Sequence, residues 1–345
     1  MKLTKRLLKI IMPIVAIICS FMFVPWVLLL GWLAPLPTSI QQQVDEAIEL
    51  GFDGIIVYVD QAGKEPQVYT SGWKNREEKI PAAPNYLFKI ASISKLYEAV
   101  AVAMLVNEGR LSLDKSLAEY LPQYASRIEN AEEITIRMLV QHRSGILNYV
   151  DHPDYPWTNP YKERSEIYEL VLDQPADFEP NKKYSYSNSN YLLLADIMDK
   201  TLGYSYHQYI KEKVLSPLGL KNTYGFLSEV DLNEVMSGYY VGYEHDIKGN
   251  DFIQPGGSMV ATAEDVGIFL RALNDGSLLS DAEQAIYSSI YACEHTGHLP
   301  GYQSIARYHP DIDATVIQFN NTSGGKMWSL SEIIYKRIVR IIKKQ

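Results

Sequence analysis

Ser92 and Lys95 stand three residues apart at the mouth of an apolar run in which Leu96, Val100, Met104 and Leu105 recur at helical spacing among alanines. On a helix, residues three apart share a face, with Cβ atoms about 5–6 Å from one another. A serine hydroxyl is a weak nucleophile until a base removes its proton. A lysine can be that base when burial or a nearby cation lowers its pKa. The partial positive charge at the helix start also favours a developing alkoxide. Ser-x-x-Lys occurs four times in the chain. Ser71–Lys74 follows a predicted strand, Ser112–Lys115 lies in a polar loop and Ser323–Lys326 in a Gly-rich turn; only Ser92–Lys95 opens a long apolar helix. Taken alone, the pair also fits a helix cap beside a solvated lysine.

The elements that must hold this pair are legible from periodicity and turn residues. Gly54–Val59 and Gln67–Ser71 predict a hairpin, preceded by an amphipathic helix over Ser39–Leu50. Residues 112–255 predict helices and loops, with helices at Glu133–Gln141, Glu163–Leu172, Tyr191–Thr201 and Tyr206–Val214. A helix over Thr262–Leu273 starts at a good cap, with Asp265 three residues on. Strands at Tyr302–Tyr308 and Ala314–Phe319 and a basic amphipathic helix, Trp328–Lys343, complete the chain. This order predicts an α/β (α+β) domain: an antiparallel sheet flanked by helices, with a mostly helical region inserted at about 112–255.

Two further motifs follow in order: Tyr186-Ser187-Asn188, the only Tyr-x-Asn in the chain, and "HTGHLPGYQS" from His295. With Ser92-x-x-Lys95 they resemble the serine β-lactamase / penicillin-binding-protein superfamily, and most closely its class C β-lactamase-like branch, which includes D-stereospecific peptidases and esterases. "HRSGILNY" from His142, "MSGYY" from Met236 and "GGSMVATAEDVGIFLRAL" from Gly256 fit the same branch. The resemblance spans about residues 46–340. It implies Ser92 as the acylated nucleophile, Lys95 as its partner and Tyr186 as the proton shuttle. It also implies that Asn188 bonds the substrate amide or Lys95. His295-Thr296-Gly297 stands where many members have Lys-Thr-Gly, as an edge strand along which an extended substrate pairs. The backbone N–H groups of Ser92 and His298 would hold the oxyanion. With His295 in place of lysine, a fixed cation toward a substrate carboxylate is lost near neutral pH, because imidazole titrates near 6.5.

The N-terminus differs from the rest. Lys2, Lys5, Arg6 and Lys9 precede an uncharged stretch of 25 residues, Ile10–Ala34. As a helix it would measure roughly 37 Å, enough to cross a bilayer with some tilt. Basic residues on its short side predict a cytoplasmic N-terminus. The expected organisation is a cytoplasmic segment 1–9, a transmembrane signal-anchor 10–34, a tether 35–45 and a serine hydrolase domain 46–345 outside the cytoplasm. A cleaved signal peptide is the competing reading, disfavoured by the length of the apolar run and the poor cleavage site in "GWLAPLPTS".

Composition narrows the rest. Setting aside the four N-terminal cations, the formal charge falls from −9 to −13, and no basic block exists, so nucleic acid is not an expected partner. The two cysteines, Cys19 and Cys293, cannot pair within the outer domain. No Gly-x-Ser-x-Gly occurs, which excludes an α/β-hydrolase elbow. His295 and His298 lack a third ligand, and no metal or cofactor is expected. Most of the 25 tyrosines are expected to be half-buried with hydroxyls in water; the cluster Tyr239, Tyr240 and Tyr243 is also a possible stacking wall. His142 is expected to brace its loop. The expectation is a membrane-anchored serine hydrolase acting through an ester on Ser92, on D-amino-acid-containing peptides or esters, cell-wall fragments among them. A β-lactamase, a small-ester esterase and a non-catalytic wall-fragment-binding pseudoenzyme are the alternatives. Oligomeric state is not legible.

Overall fold

A computed structural model describes residues 11–13, 15, 21 and 23–344. The cytoplasmic segment 1–9 and much of the expected signal-anchor lie outside the described residues. Among those described, no helix is long and apolar enough to cross a membrane.

The elements that build the domain are helices α1 (Trp26–Leu33) and α2 (Ile40–Glu49), strands β1 (Gly54–Gln61), β2 (Gln67–Asn75) and β3 (Ile80–Pro81), and helices α3 (Ser94–Asn107), α4 (Asn188–Leu202), α5 (Ala263–Asp275) and α6 (Asp281–Ile290). Strands β4 (His295–Leu299), β5 (Tyr302–His309) and β6 (Ala314–Asn320) and helix α7 (Met327–Ile342) follow. The strands form one sheet in the order β3-β2-β1-β6-β5-β4, antiparallel throughout. The first and last thirds of the chain meet in its middle, where Ile56 faces Phe319 and Tyr58 faces Ile317.

Strand periodicity divides the interior in two. Successive side chains alternate faces, so Ile56, Tyr58, Ile317 and Phe319 enter the larger core with α3, α4 and α5. Ile55, Val57, Val59 and Val316 enter a smaller core beneath α2 and α7. Two polar side chains on this second face tie it to α7: Gln318 and Asn320 both donate to Ser331 Oγ, at 2.9 and 2.7 Å. Helix α3 is buried on all sides from Ser94 to Leu105, as expected for a helix apolar around its circumference.

The expected elements are present with shifted bounds. Helix α2 is capped by Ser39, whose side chain accepts from the Gln42 N–H. Thr262 caps α5, but Asp265 turns away to Asn222 and Thr223, so no reciprocal box forms. The insert is not mostly helical. The expected helices at 133–141 and 163–172 contract to Ile136–Val140 and Arg164–Tyr168, joined by irregular chain, while that at 206–214 is present as an α-helix over Tyr206–Ile210 that runs on as a π-helix over Lys211–Leu215; only α4 is a long α-helix. Turns replace helix there, with side chains meeting their backbone groups: Glu129 accepts from the Ala176 N–H, and Arg143 donates to the Asn181 carbonyl. Residues 35–45, expected as a tether, include the first turns of α2 and pack on α7.

Candidate active site

A short pairing of Phe88–Lys89 with Val260–Ala261 delivers the chain to Ser92. Ala91 has φ +51°, a left-handed conformation uncommon for a residue with a Cβ. Residues 91–93 make one tight turn, from which α3 continues at Ser94. Such a conformation persists when its surroundings over-determine it, and here they do. Ser94 Oγ donates to the Ala91 carbonyl at 2.6 Å, Ser304 Oγ of β5 donates to the Ile90 carbonyl at 3.0 Å, and the Ile90 N–H donates to the Met259 carbonyl at 3.1 Å.

Two groups converge on the Ser92 hydroxyl: Lys95 Nζ donates to Oγ at 3.2 Å and the Tyr186 hydroxyl donates at 2.9 Å. Lys95 is fully buried, and its remaining donors reach Asn188 Oδ1 at 2.8 Å and the Gly256 carbonyl at 2.7 Å. An ammonium has three N–H donors and no acceptor, so every one is used. The rings of Tyr186 and Tyr191 each lie 5.1 Å from Nζ. Asn148 Oδ1 accepts from both the Asn188 backbone N–H, at 2.9 Å, and Nδ2, at 3.1 Å, which turns the Asn188 amide oxygen toward the lysine. The His142 ring lies 4.3 Å from that of Tyr186, and its Nδ1 accepts from the Ser187 N–H at 3.2 Å. Burial and the charge of Lys95 hold this imidazole down to about 3, so it is neutral and braces the tyrosine loop.

One turn beyond Lys95, Glu98 is completely buried. Its Oε1 accepts from the Gly256 N–H at 2.7 Å and from the Tyr206 hydroxyl at 3.3 Å. Gly256 therefore bonds α3 twice, through its carbonyl to Lys95 and its N–H to Glu98. It has φ +73°, and a Cβ there would lie 2.7 Å from Lys95 Nζ. Burial pushes the Glu98 carboxyl up to about 7, against the lowering effects of the Gly256 N–H and Lys95. The folded state then keeps a proton that the unfolded chain releases above pH 4.5. Glu98 by itself should therefore contribute a fall of roughly 3 kcal/mol as pH rises from 4.5 to 7, set against the rise contributed by the buried neutral histidines, His142 and His295 among them, whose protons only the unfolded chain holds in this range. Urea titrations of wild type and Glu98→Gln across this range isolate the Glu98 part as the difference between the two curves, which should change by that amount and with that sign.

Strand β4 forms the opposite wall as an edge of the sheet. Gly297 lies directly on the nucleophile turn: a Cβ there would come 2.2 Å from Ser304 Oγ and 2.3 Å from the Ile90 carbonyl oxygen. Gly297→Ala must push β4 away from Ser92. Since a displacement of about 1 Å can cost about 10²-fold in rate, kcat/KM should drop by about that factor with little loss of acylable Ser92, read by steady-state kinetics beside active-site titration. The His295 ring stacks on Tyr291, with centroids 6.0 Å apart. Burial and Lys95 lower its pKa to about 4, so it is uncharged at neutral pH. His298 is exposed and stacks on Trp328, with centroids 5.8 Å apart.

The cleft between these walls has a volume of about 370 Å³ and is lined by Ser92, Tyr186, Asn188, His295, Thr296 and His298 among others. It continues past Trp157, His298 and Leu299 into a hollow of about 510 Å³ that Tyr240 and Tyr243 line. Tyr239 does not join them. It is buried, and its hydroxyl accepts from the Arg76 N–H at 3.0 Å. The tyrosines depart from expectation more widely: Tyr97, Tyr149, Tyr191, Tyr206, Tyr209, Tyr239, Tyr287, Tyr302 and Tyr335 are almost wholly buried. Several find internal partners, as Tyr302 does at the Met236 carbonyl, 2.8 Å away.

A beta-lactamase family model matches residues 40–289, most of the chain. The chain belongs to the beta-lactamase family. It is 28% identical over 190 residues to penicillin-binding protein 4* of Bacillus subtilis (strain 168), a match covering 54% of this chain and 41% of that protein. It is 29% identical over 189 residues to protein flp of Staphylococcus aureus (strain MW2), covering 53% of this chain and 38% of that one. The chain thus spans about two fifths of the length of these curated relatives. Among solved structures, D-amino acid amidase from Ochrobactrum anthropi SV3, complexed with D-phenylalanine, superposes with a TM-score of 0.78 at 23% identity, covering 88% of this chain and 98% of that one. A penicillin-binding protein from Bacillus halodurans gives 0.74 at 20% identity, covering 88% and 100%. These two likenesses establish the fold.

Within this family member, the residues singled out from sequence gather around one cleft. Ser92, Lys95, Tyr186 and Asn188 form a continuous hydrogen-bonded chain, and His295, Thr296 and His298 line the wall facing them, with Gly297 packed against the turn. Sequence reasoning missed Glu98, Asn148, Gly256 and Ser304 as members of the site. Glu98 offered a signal, as the one carboxylate within the apolar stretch Leu96–Val106. Asn148 and Gly256 stood inside recognised motifs without assigned contacts. Ser304 had no signal of its own.

Proposed function

We propose that the protein is a serine hydrolase that transfers an acyl group to Ser92 and then to water. The arrangement of Lys95 Nζ and the Tyr186 hydroxyl, 3.2 and 2.9 Å from Ser92 Oγ at the floor of an open cleft, carries this reading. The attacking form of the Lys95–Tyr186 pair holds one proton fewer than the fully donating arrangement: as Ser92 Oγ attacks the carbonyl carbon, the deprotonated member of the pair takes its proton, and the pair passes one on to the leaving group, which departs neutral. Charge on the former carbonyl oxygen is held by the Ser92 and His298 N–H groups. Water then attacks the ester, returns a proton through the same pair to Ser92 Oγ and releases the acid. Lys95 needs no further neighbour to stay in place, because Asn188 and Gly256 fix it.

The substrates we infer are D-amino-acid-containing peptides, amides or esters, cell-wall fragments among them, in line with the D-phenylalanine named for the structural neighbour. A neutral His295 offers no fixed charge to a substrate carboxylate. That favours amides and esters without an obligatory free carboxylate over β-lactams. The small-ester reading rests on the same observation. The uncharged stretch Ile10–Ala34 behind a basic N-terminus supports a membrane anchor, with the domain outside the cytoplasm.

Intact-mass labelling of the full chain and Ser92→Ala with D-aminoacyl p-nitrophenyl esters, D-Ala-D-Ala peptides, nitrocefin and a fluorophosphonate separates these readings. The expected result is an acyl adduct on the wild type alone, with D-aminoacyl esters turned over and nitrocefin slow. Rapid nitrocefin turnover would instead mark a β-lactamase. Absence of any adduct would leave a binding protein.

A further inference from the structure

The N-terminal helix and the last helix share one surface, and buried Arg337 locks them together. Arg337 on α7 donates to the carbonyls of Ala34 and Pro35 at 2.7 and 2.8 Å, donates to Gln43 Oε1, and pairs with Glu46 at 3.4 Å. The C-terminal end of α1 is thereby capped by a cation from α7. Gly31 packs on Leu330 and Ile333 from one side of α1. The other side faces outward: Leu30, Trp32 and Leu33 each stay about 60% exposed, and Trp26 is exposed too. The final turn of α7 adds three exposed cations, Arg340, Lys343 and Lys344. Lys343 pairs with exposed Asp311 at 2.6 Å; Arg340 and Lys344 form no ion pair among the described residues. A cavity of about 420 Å³ separates Trp32 from these cations, with Arg337 at its floor.

From this arrangement we propose that the outer face of α1 and the last turn of α7 form one docking surface for an anionic lipid bilayer, with a lipid headgroup phosphate in the cavity between Trp32 and the cations. The proposal rests on the membrane-anchor reading above, narrowed so that α1 lies at the bilayer surface and only the chain before Trp26 enters it. Tryptophan settles where one side is apolar and the other wet, and exposed lysines and arginines beside an apolar surface are drawn to anionic headgroups. The cluster opposes the chain's net charge of −9, so it is local and not part of a general basic surface. Helix α7 begins beside Trp328 in the cleft wall and ends at these cations, so the cleft lies roughly 22 Å along that helix from the headgroups.

Full-length protein in phosphatidylcholine nanodiscs, with or without phosphatidylglycerol, tests this by hydrogen exchange over residues 336–344. The expected result is slowed exchange only with phosphatidylglycerol, reversed by high salt. Arg340→Gln with Lys344→Gln, which keeps the Lys343–Asp311 pair, should weaken the protection by about fivefold per cation removed. Incorporation into both discs with equal exchange would overturn the docking surface and leave the anchor standing. Failure to enter either disc would overturn the anchor and the surface with it. Equal protection by inorganic phosphate alone, or protection in plain phosphatidylcholine that grows with protein concentration, would assign the face to free anion or to a second copy and likewise overturn it.

Discussion

Ser92→Ala should lower kcat/KM by about 10⁴–10⁶-fold and abolish every acyl adduct, while leaving the folded protein as stable as the wild type or nearly so. The size follows from residues that act as one unit: removing the nucleophile of such a set costs as much as removing the set. Structural neutrality follows from the bonds on the page. Ser92 Oγ accepts from Lys95 and Tyr186, but the turn itself is held by Ser94, Ser304 and the Met259 carbonyl. The variant should therefore still bind substrate. Steady-state kinetics, intact mass and thermal unfolding of the two proteins read all three parts. Turnover within tenfold of wild type would remove Ser92 from the reaction.

Lys95→Met should reduce kcat by about 10³–10⁴-fold, and unlike the serine change it should also destabilise the fold. Proton transfer by a positioned group contributes about 10²–10⁴-fold, and the lysine also places charge beside the oxygen that becomes negative. Its loss strips a donor from Asn188 Oδ1 and from the Gly256 carbonyl, both deep in the site. Buried acceptors left without partners cost about 1–3 kcal/mol each. Glu98 loses the cation that favours its charged form, so its carboxyl should stay protonated to higher pH than in the wild type. Pre-steady-state kinetics should show acylation as the step that slows, and urea denaturation should show the lowered midpoint. A variant with unchanged acylation would leave Tyr186 as the sole proton acceptor.

The sheet, the long buried helix and the order of strands were readable because their signals are local. Alternation marks β1 and β6, a continuous apolar circumference marks α3, and Ser39 and Thr262 announce helix starts one residue ahead. The insert was misread for the same reason. Helical periodicity over 133–141 and 163–172 is genuine, yet each helix contracts to five residues once side chains satisfy the surrounding turns. Average behaviour predicts half-buried tyrosines with their hydroxyls in water, while this chain encloses nine of them almost completely.

Residue spacing alone set Ser92 and Lys95 on one helical face, since three residues along a helix is a fixed distance whatever surrounds it. Motif order paired them with Tyr186, Asn188 and the strand from His295. Whether Lys95 would be solvated or enclosed, whether His295 would carry charge, and that Glu98 would join the site through Gly256 were settled by folding. Each depends on burial and on contacts between segments from about 160 to 200 positions apart. Helical geometry is a property of neighbouring residues; the desolvation that neutralises an imidazole, and the backbone that meets a buried ammonium, belong to the assembled interior.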